Sequence, residues 1–201
     1  MIDWIQTHYI EIIGAITGLV FLYLEIKQNI WLWPVGIITS ALYIYIFFDT
    51  KFYADMSLQF YYLAVSVYGW WHWLHGAGGK SEGIPIIRLK SGLAIILLAI
   101  TVAIFVLLVY VLINFTDSPV PYGDAFTTAL SITATWMLAR KIIDMWWLWM
   151  IINAVSLGLY IYKGLYPTSV LFFFYFTMSI VGYLQWKKHY ISTSTSTSTS
   201  T

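Results

Sequence analysis

Residues 146–162 read WWLWMIINAVSLGLYIY. The stretch holds no charge, and its one amide, Asn153, stands among tryptophans and aliphatic side chains. Wound as a helix at about 1.5 Å per residue it spans about 25 Å, close to the apolar thickness of a bilayer. A helix is also the form in which a lone segment satisfies its own backbone there. An amide left unpaired in that setting costs several kcal/mol. Where Asn153 points therefore bears on both fold and function.

Six further stretches of the same character lie at 10–26, 30–48, 55–75, 92–115, 124–139 and 168–186. Between them fall the clusters that stop helices: QN at 28–29, FDTK at 48–51, HGAGGKSEGIP at 75–85, TDSPVPYGD at 116–124, RKIID at 140–144 and KGLYP at 163–167. The expected fold is an all-α membrane protein of seven transmembrane helices, with residues 1–191 as a single transmembrane domain. Of 201 residues 60% are hydrophobic and 9% charged, too little polarity to clothe a water-soluble domain. A net charge of +1 offers no basic stripe for nucleic acid. The absence of cysteine removes disulfides, thiolate chemistry and Cys-based metal sites. The start, MIDWIQTHY, carries an acid and no basic n-region, which predicts a retained first helix in place of a cleaved signal. The tail at 192–201, a strict Ser/Thr repeat without apolar content, reads as disordered.

Lys27, Lys80, Arg88, Lys90, Arg140, Lys141, Lys187 and Lys188 fall on one side of this topology, and Lys51 and Lys163 on the other. The excess of positive charge places the N-terminus outside and the C-terminus in the cytoplasm.

The chain also reads as one three-helix unit used twice. Setting W31-L-W33 above W147-L-W149 brings Ser40 onto Ser156, and a slip of one residue matches L42-Y-I-Y45 to L159-Y-I-Y162. With a loop four residues shorter in the second half, Tyr53 meets Tyr166, Gly69 meets Gly182 and Trp73 meets Trp186. In this register Asn153 pairs with Ile37 and Trp146 with Ile30. Units at 10–75 and 124–186, joined by a linker helix at 92–115, form a 3+1+3 plan of parallel repeats, with a ligand expected where the units meet.

Trp146, Trp149 and Asn153, at i, i+3 and i+7, share one helix face, continued by Ser156 and Tyr160, while Trp147 turns away. Two indole faces and an amide suit a flat ring with polar edges. The structural alternatives are an interfacial aromatic belt and an interhelical hydrogen bond. Gln59, Tyr62 and Ser66 line one face of the third stretch. Thr128, Ser131 and Thr135 do so in the fifth, and Tyr175, Thr177 and Ser179 in the seventh, although such hydroxyls often bond their own i−4 carbonyls. Glu11 and Asp124 suit helix N-termini better than ligand contact. Pro34 predicts a kink that helps one unit rock against the other.

No charged residue lies at mid-membrane, which leans toward a passive carrier. The cytoplasmic end of the third stretch holds His72 and His75 at i, i+3, but no third metal ligand accompanies them. No HExxH, GxSxG, carboxylate pair or phosphate-cradling glycine loop occurs, so no enzyme, metal or cofactor is expected.

The WxxWxxxN pattern of Trp146, Trp149 and Asn153, with KFYADMSLQFYYLAVSVYGWWHW and LARKIIDMWWLWMIIN, resembles the PnuC-type bacterial vitamin transporters over nearly the whole chain up to Lys188. The resemblance implies a SWEET-like 3+1+3 fold in the bacterial inner membrane and a homo-oligomer, trimeric in related members. It implies facilitated diffusion of an unphosphorylated vitamin, nicotinamide riboside first and thiamine or riboflavin next, trapped by a cytoplasmic kinase. Trp146, Trp149 and Asn153 would line the pocket with Gln59 opposite. A non-transporting membrane scaffold is the alternative from another class, with the same residues packing helices.

Overall fold

The computed structural model describes residues 16–49, 53–76 and 84–198, with the side chains of 53–55 and 193–198 left aside. Among these residues the chain is helical: α1 (Ile16–Ile26), α2 (Leu32–Asp49), α3 (Tyr53–His75), α4 (Ser91–Phe115), α5 (Pro121–Ala139), α6 (Met145–Tyr162) and α7 (Tyr166–Ser198). Glu11 lies outside the described residues. The helices α2, α4 and α6, and α7 as far as Ser192, are long and apolar enough to cross a membrane by length and composition. The 23 residues of α3 and 19 of α5 reach the length but interrupt the apolar run with Gln59, Tyr61, Tyr62 and a series of hydroxyls. The Ser/Thr tail, expected to be disordered from Ser192, continues α7 to Ser198. Adding residues to a formed helix avoids the cost of nucleating one, and the Ser192 hydroxyl bonds the His189 carbonyl at 2.9 Å.

The chain divides into two compact units, one ending at Trp71 and the other beginning at His72. Each unit makes the same corner between two of its helices. In the first, Gln28 has φ 53°, the Gln28 N–H donates to Glu25 O at 3.0 Å, and the Asn29 N–H donates to Leu24 O at 2.8 Å. In the second, Lys141 has φ 51°, its N–H donates to Leu138 O at 2.9 Å, and the Ile142 N–H donates to Met137 O at 3.0 Å. These are Schellman terminations with a left-handed residue closing the helix. The α6 end repeats the motif with Gly164 (φ 73°), where glycine avoids the steric penalty that Gln28 and Lys141 bear.

The same spacing governs the packing. In the first unit the indole of Trp33 lies where a side chain at Gly69 would go; in the second, Trp146 occupies that place over Gly182. Gln28 and Lys141, Trp33 and Trp146, and Gly69 and Gly182 all stand 113 positions apart. The sequence register is therefore corrected. Trp33, not Ile30, corresponds to Trp146; Ser40, not Ile37, corresponds to Asn153; and the shorter second loop disappears. The W-L-W triplet occurs in both halves three positions out of structural step, and it drew the alignment with it. Pro34 is corrected too: it is the third residue of α2. A first-turn N–H has no helical partner to lose, so proline there imposes no kink.

In the second unit α4 packs on α5, α5 on α6, and α6 on α7. Thr101 and Thr133 join α4 to α5 at 2.6 Å. Each hydroxyl also reaches its own i−4 carbonyl, Thr101 to Leu97 O at 2.7 Å and Thr133 to Ala129 O at 3.3 Å. The segment before α4 is strapped to the α5–α6 corner by an Ile87–Ile142 bridge. Asp144 accepts from the Leu89 N–H at 2.7 Å and pairs with Arg88 at 3.4 Å. Trp73 donates its indole N–H to Ala139 O at 3.2 Å, and the buried Lys141 amine sits 4.4 Å from the centre of its ring. Burial pushes this amine down to about 8, while the electron-rich ring face favours the charged form. At the other end of the unit Asp124 accepts from Ser118 at 2.7 Å and pairs with Lys163 at 3.4 Å. These contacts account for Asp124 as a structural residue.

Candidate functional site

The polar residues of α6 lie between two kinds of neighbour. Trp146, at the start of the helix, is fully buried. It seats on Gly182 and meets Trp186 edge-on, ring centres 5.9 Å apart at 79°. Trp147 turns elsewhere, half exposed and tilted against Tyr183 at 5.1 Å. Trp149 is half-buried, yet its indole N–H is enclosed without a hydrogen-bond partner among the described residues. Asn153 and Ser156 are buried, each 6% exposed. The Asn153 amide nitrogen donates to the Ser179 hydroxyl of α7 at 3.0 Å, and Ser179 donates to Tyr175 O at 2.8 Å.

The structure thus brings Trp149, Asn153 and Ser156 together on α6 and gives Trp146 a packing place. Its counterpart Trp33 does the same over Gly69 in a unit that has no amide at the matching position, which marks this tryptophan–glycine pair as scaffold. In the sequence Gly69 and Gly182 match as repeat positions, and nothing beside them marks either as a seat for an indole. The interhelical bond of Asn153 uses one donor of an amide that has two, and among the described residues its carbonyl oxygen accepts no hydrogen bond.

On α5, Ser131 and Thr135 bond the carbonyls of Thr127 and Ser131, each at 2.8 Å, the local pattern anticipated for them. Thr128 is half-buried. On α7, Thr177 bonds Phe173 O at 3.0 Å. In the first unit Gln59 and Tyr62 are half-buried, Tyr62 beside Tyr61 with ring centres 5.5 Å apart, and Ser66 is buried against Gly36. Among the described residues no three His, Asp or Glu side chains gather as a metal site.

A cavity of about 160 Å³ opens between α4, α5 and α6, lined by Leu97, Thr101, Leu130, Thr133, Met137 and Leu148 among others. Leu148 is roughly 140° around the helix from Asn153. None of the residues expected to bind ligand lines this cavity.

A family model described as nicotinamide mononucleotide transporter matches residues 8–188. The chain belongs to this family. The nicotinamide riboside transporter PnuC of Escherichia coli strain K12 is 27% identical over 202 residues, spanning 89% of this chain and 84% of the relative. The riboflavin/roseoflavin transporter RibM of Streptomyces davaonensis is 25% identical over 182 residues, spanning 88% and 83%. The fold is that of a crystal structure of the Vitamin B3 transporter PnuC, with a TM-score of 0.70 at 22% identity over 92% of this chain and 83% of that one. As a member of the nicotinamide mononucleotide transporter family, the protein is a multi-pass vitamin transporter of the bacterial inner membrane.

Proposed function

We propose that this transporter moves nicotinamide riboside into the cytoplasm by facilitated diffusion, with a cytoplasmic kinase trapping the product as its phosphate. The observation that carries the proposal is the grouping on α6 of a half-buried Trp149, whose N–H has no partner among the described residues, with Asn153 and Ser156. The Trp149 face suits a flat pyridinium cation. Its N–H and the Asn153 oxygen suit the polar groups of a riboside. Gln59 of α3 is a second, separately testable contact.

The choice of riboside over mononucleotide rests on charge. No Lys or Arg lies inside the helices α2, α3, α4, α5 or α6 themselves, and the lysines of α7 stand at 187 and 188, about 30 Å beyond its start. A phosphate carrying nearly two negative charges would cross without a partner, at prohibitive cost. The matching corners and tryptophan–glycine seats support a 3+1+3 plan of parallel repeats around α4, and the basic residues support an outside N-terminus. Relatedness to RibM favours riboflavin as the second reading; thiamine, the other ligand the sequence suggests, belongs in the same comparison.

Vesicles holding the purified protein provide the test. Labelled riboside is expected to equilibrate across the membrane, to exchange with unlabelled riboside inside, and to show no dependence on a proton or sodium gradient. Accumulation driven by either gradient would contradict uniport.

A further inference from the structure

The hydrogen bonds around Ser179 fix which way the Asn153 amide faces. The Ser179 oxygen lies 2.8 Å from Tyr175 O, a backbone carbonyl with no hydrogen to give. Two oxygens at that distance repel unless a hydrogen lies between them, so the single hydroxyl hydrogen of Ser179 is committed to Tyr175. Toward Asn153 the hydroxyl therefore presents only a lone pair. The group it meets must be a donor, and it is the amide nitrogen, at 3.0 Å. Ser179 is 1% exposed, so water does not compete for this contact. The amide is planar, and holding its nitrogen against α7 turns its carbonyl oxygen away from α7.

We infer that Ser179 is a positioning residue that makes Asn153 an obligatory hydrogen-bond acceptor, so that the transporter selects ligands presenting a donor there, a carboxamide N–H or a hydroxyl, over those presenting a carboxylate. The inference rests on the reading of Asn153 as a ligand contact and adds a polarity to it. A carboxylate has acceptors only, and against a fixed carbonyl oxygen it brings repulsion in place of a bond. An amide free to rotate would offer its N–H₂ to a carboxylate equally well. The discrimination therefore belongs to Ser179, although Ser179 need not touch the ligand.

The test compares binding of nicotinamide riboside with that of its acid analogue, nicotinic acid riboside, by calorimetry on the purified full-length protein. The wild type is expected to favour the amide by more than about tenfold. In Ser179→Ala the preference is expected to fall to within about threefold, mainly through tighter binding of the acid, with the thermal unfolding midpoint little changed. Ser179→Thr, which keeps the hydroxyl, is expected to restore the preference. A residue with only a structural role would weaken both ligands alike. An unaltered preference in Ser179→Ala overturns the inference while leaving the riboside reading intact, as does a wild type that binds both ligands equally. A wild type that binds neither overturns both.

Discussion

Asn153→Leu is expected to weaken nicotinamide riboside binding at least about tenfold while the unfolding midpoint in detergent moves by only a few degrees. Leucine fills nearly the same volume, so the loss to the ligand is of the carbonyl oxygen that Ser179 turns away from α7. One hydrogen bond from a cationic ligand to that oxygen is worth about that factor. Stability is little affected for a reason visible around Ser179. Its hydrogen stays on Tyr175 O, so the leucine removes a donor from a lone pair and strands no hydrogen. Interhelical hydrogen bonds of this kind contribute about 0.6 kcal/mol on average in membranes, and an apolar side chain at mid-span recovers part of it. A side chain that only packed helices would show the opposite pattern, with binding retained and a lower midpoint. Calorimetric binding and thermal unfolding of one preparation separate the two.

Gly182→Val is expected to destabilise the second unit by about 3 kcal/mol, with loss of most folded protein at physiological temperature. The first side-chain atom would enter space already held by the Trp146 ring, and the ring, fully buried against Trp186, has no free direction in which to retreat. Gly69→Val should do the same in the first unit through Trp33. Gly158 supplies the control. A methyl there meets nothing within 4 Å, so Gly158→Ala should stabilise α6 by up to about 1 kcal/mol through lower backbone entropy. Midpoints from a thermal scan of the three variants would show whether tryptophan seats carry the packing of each unit.

The helices were legible in the sequence because a membrane imposes a coarse rule. Uninterrupted apolar runs become helices, and QN, RKIID and KGLYP end them within a residue or two of Ile26, Ala139 and Tyr162. What resisted reading was the division of labour among the tryptophans. Trp146 and Trp149 share a face by helical arithmetic, and among the described residues neither indole N–H has a partner, yet Trp146 is fully buried in a glycine seat on α7 while Trp149 is half-buried. Helical arithmetic gives a direction; it does not say what stands in that direction. The repeat register failed for a related cause. Trp31, Trp33, Trp147 and Trp149 are identical letters, whereas the corner at Gln28 and Lys141 is set by a backbone conformation that neither letter announces. The partner of Asn153 was hidden differently: Ser179 is one of several hydroxyls in α7, and each has a local carbonyl to bond.

Tryptophan fluorescence reports directly on whether the Trp149 and Asn153 side of α6 receives a flat, unphosphorylated vitamin. Purified protein titrated with nicotinamide riboside, its mononucleotide, riboflavin and thiamine should show saturable quenching by the riboside, largely lost in Trp149→Phe, with the mononucleotide at least about tenfold weaker. Quenching by the mononucleotide at equal affinity, or a riboside signal that survives unchanged in Trp149→Phe and Asn153→Leu, would contradict this reading.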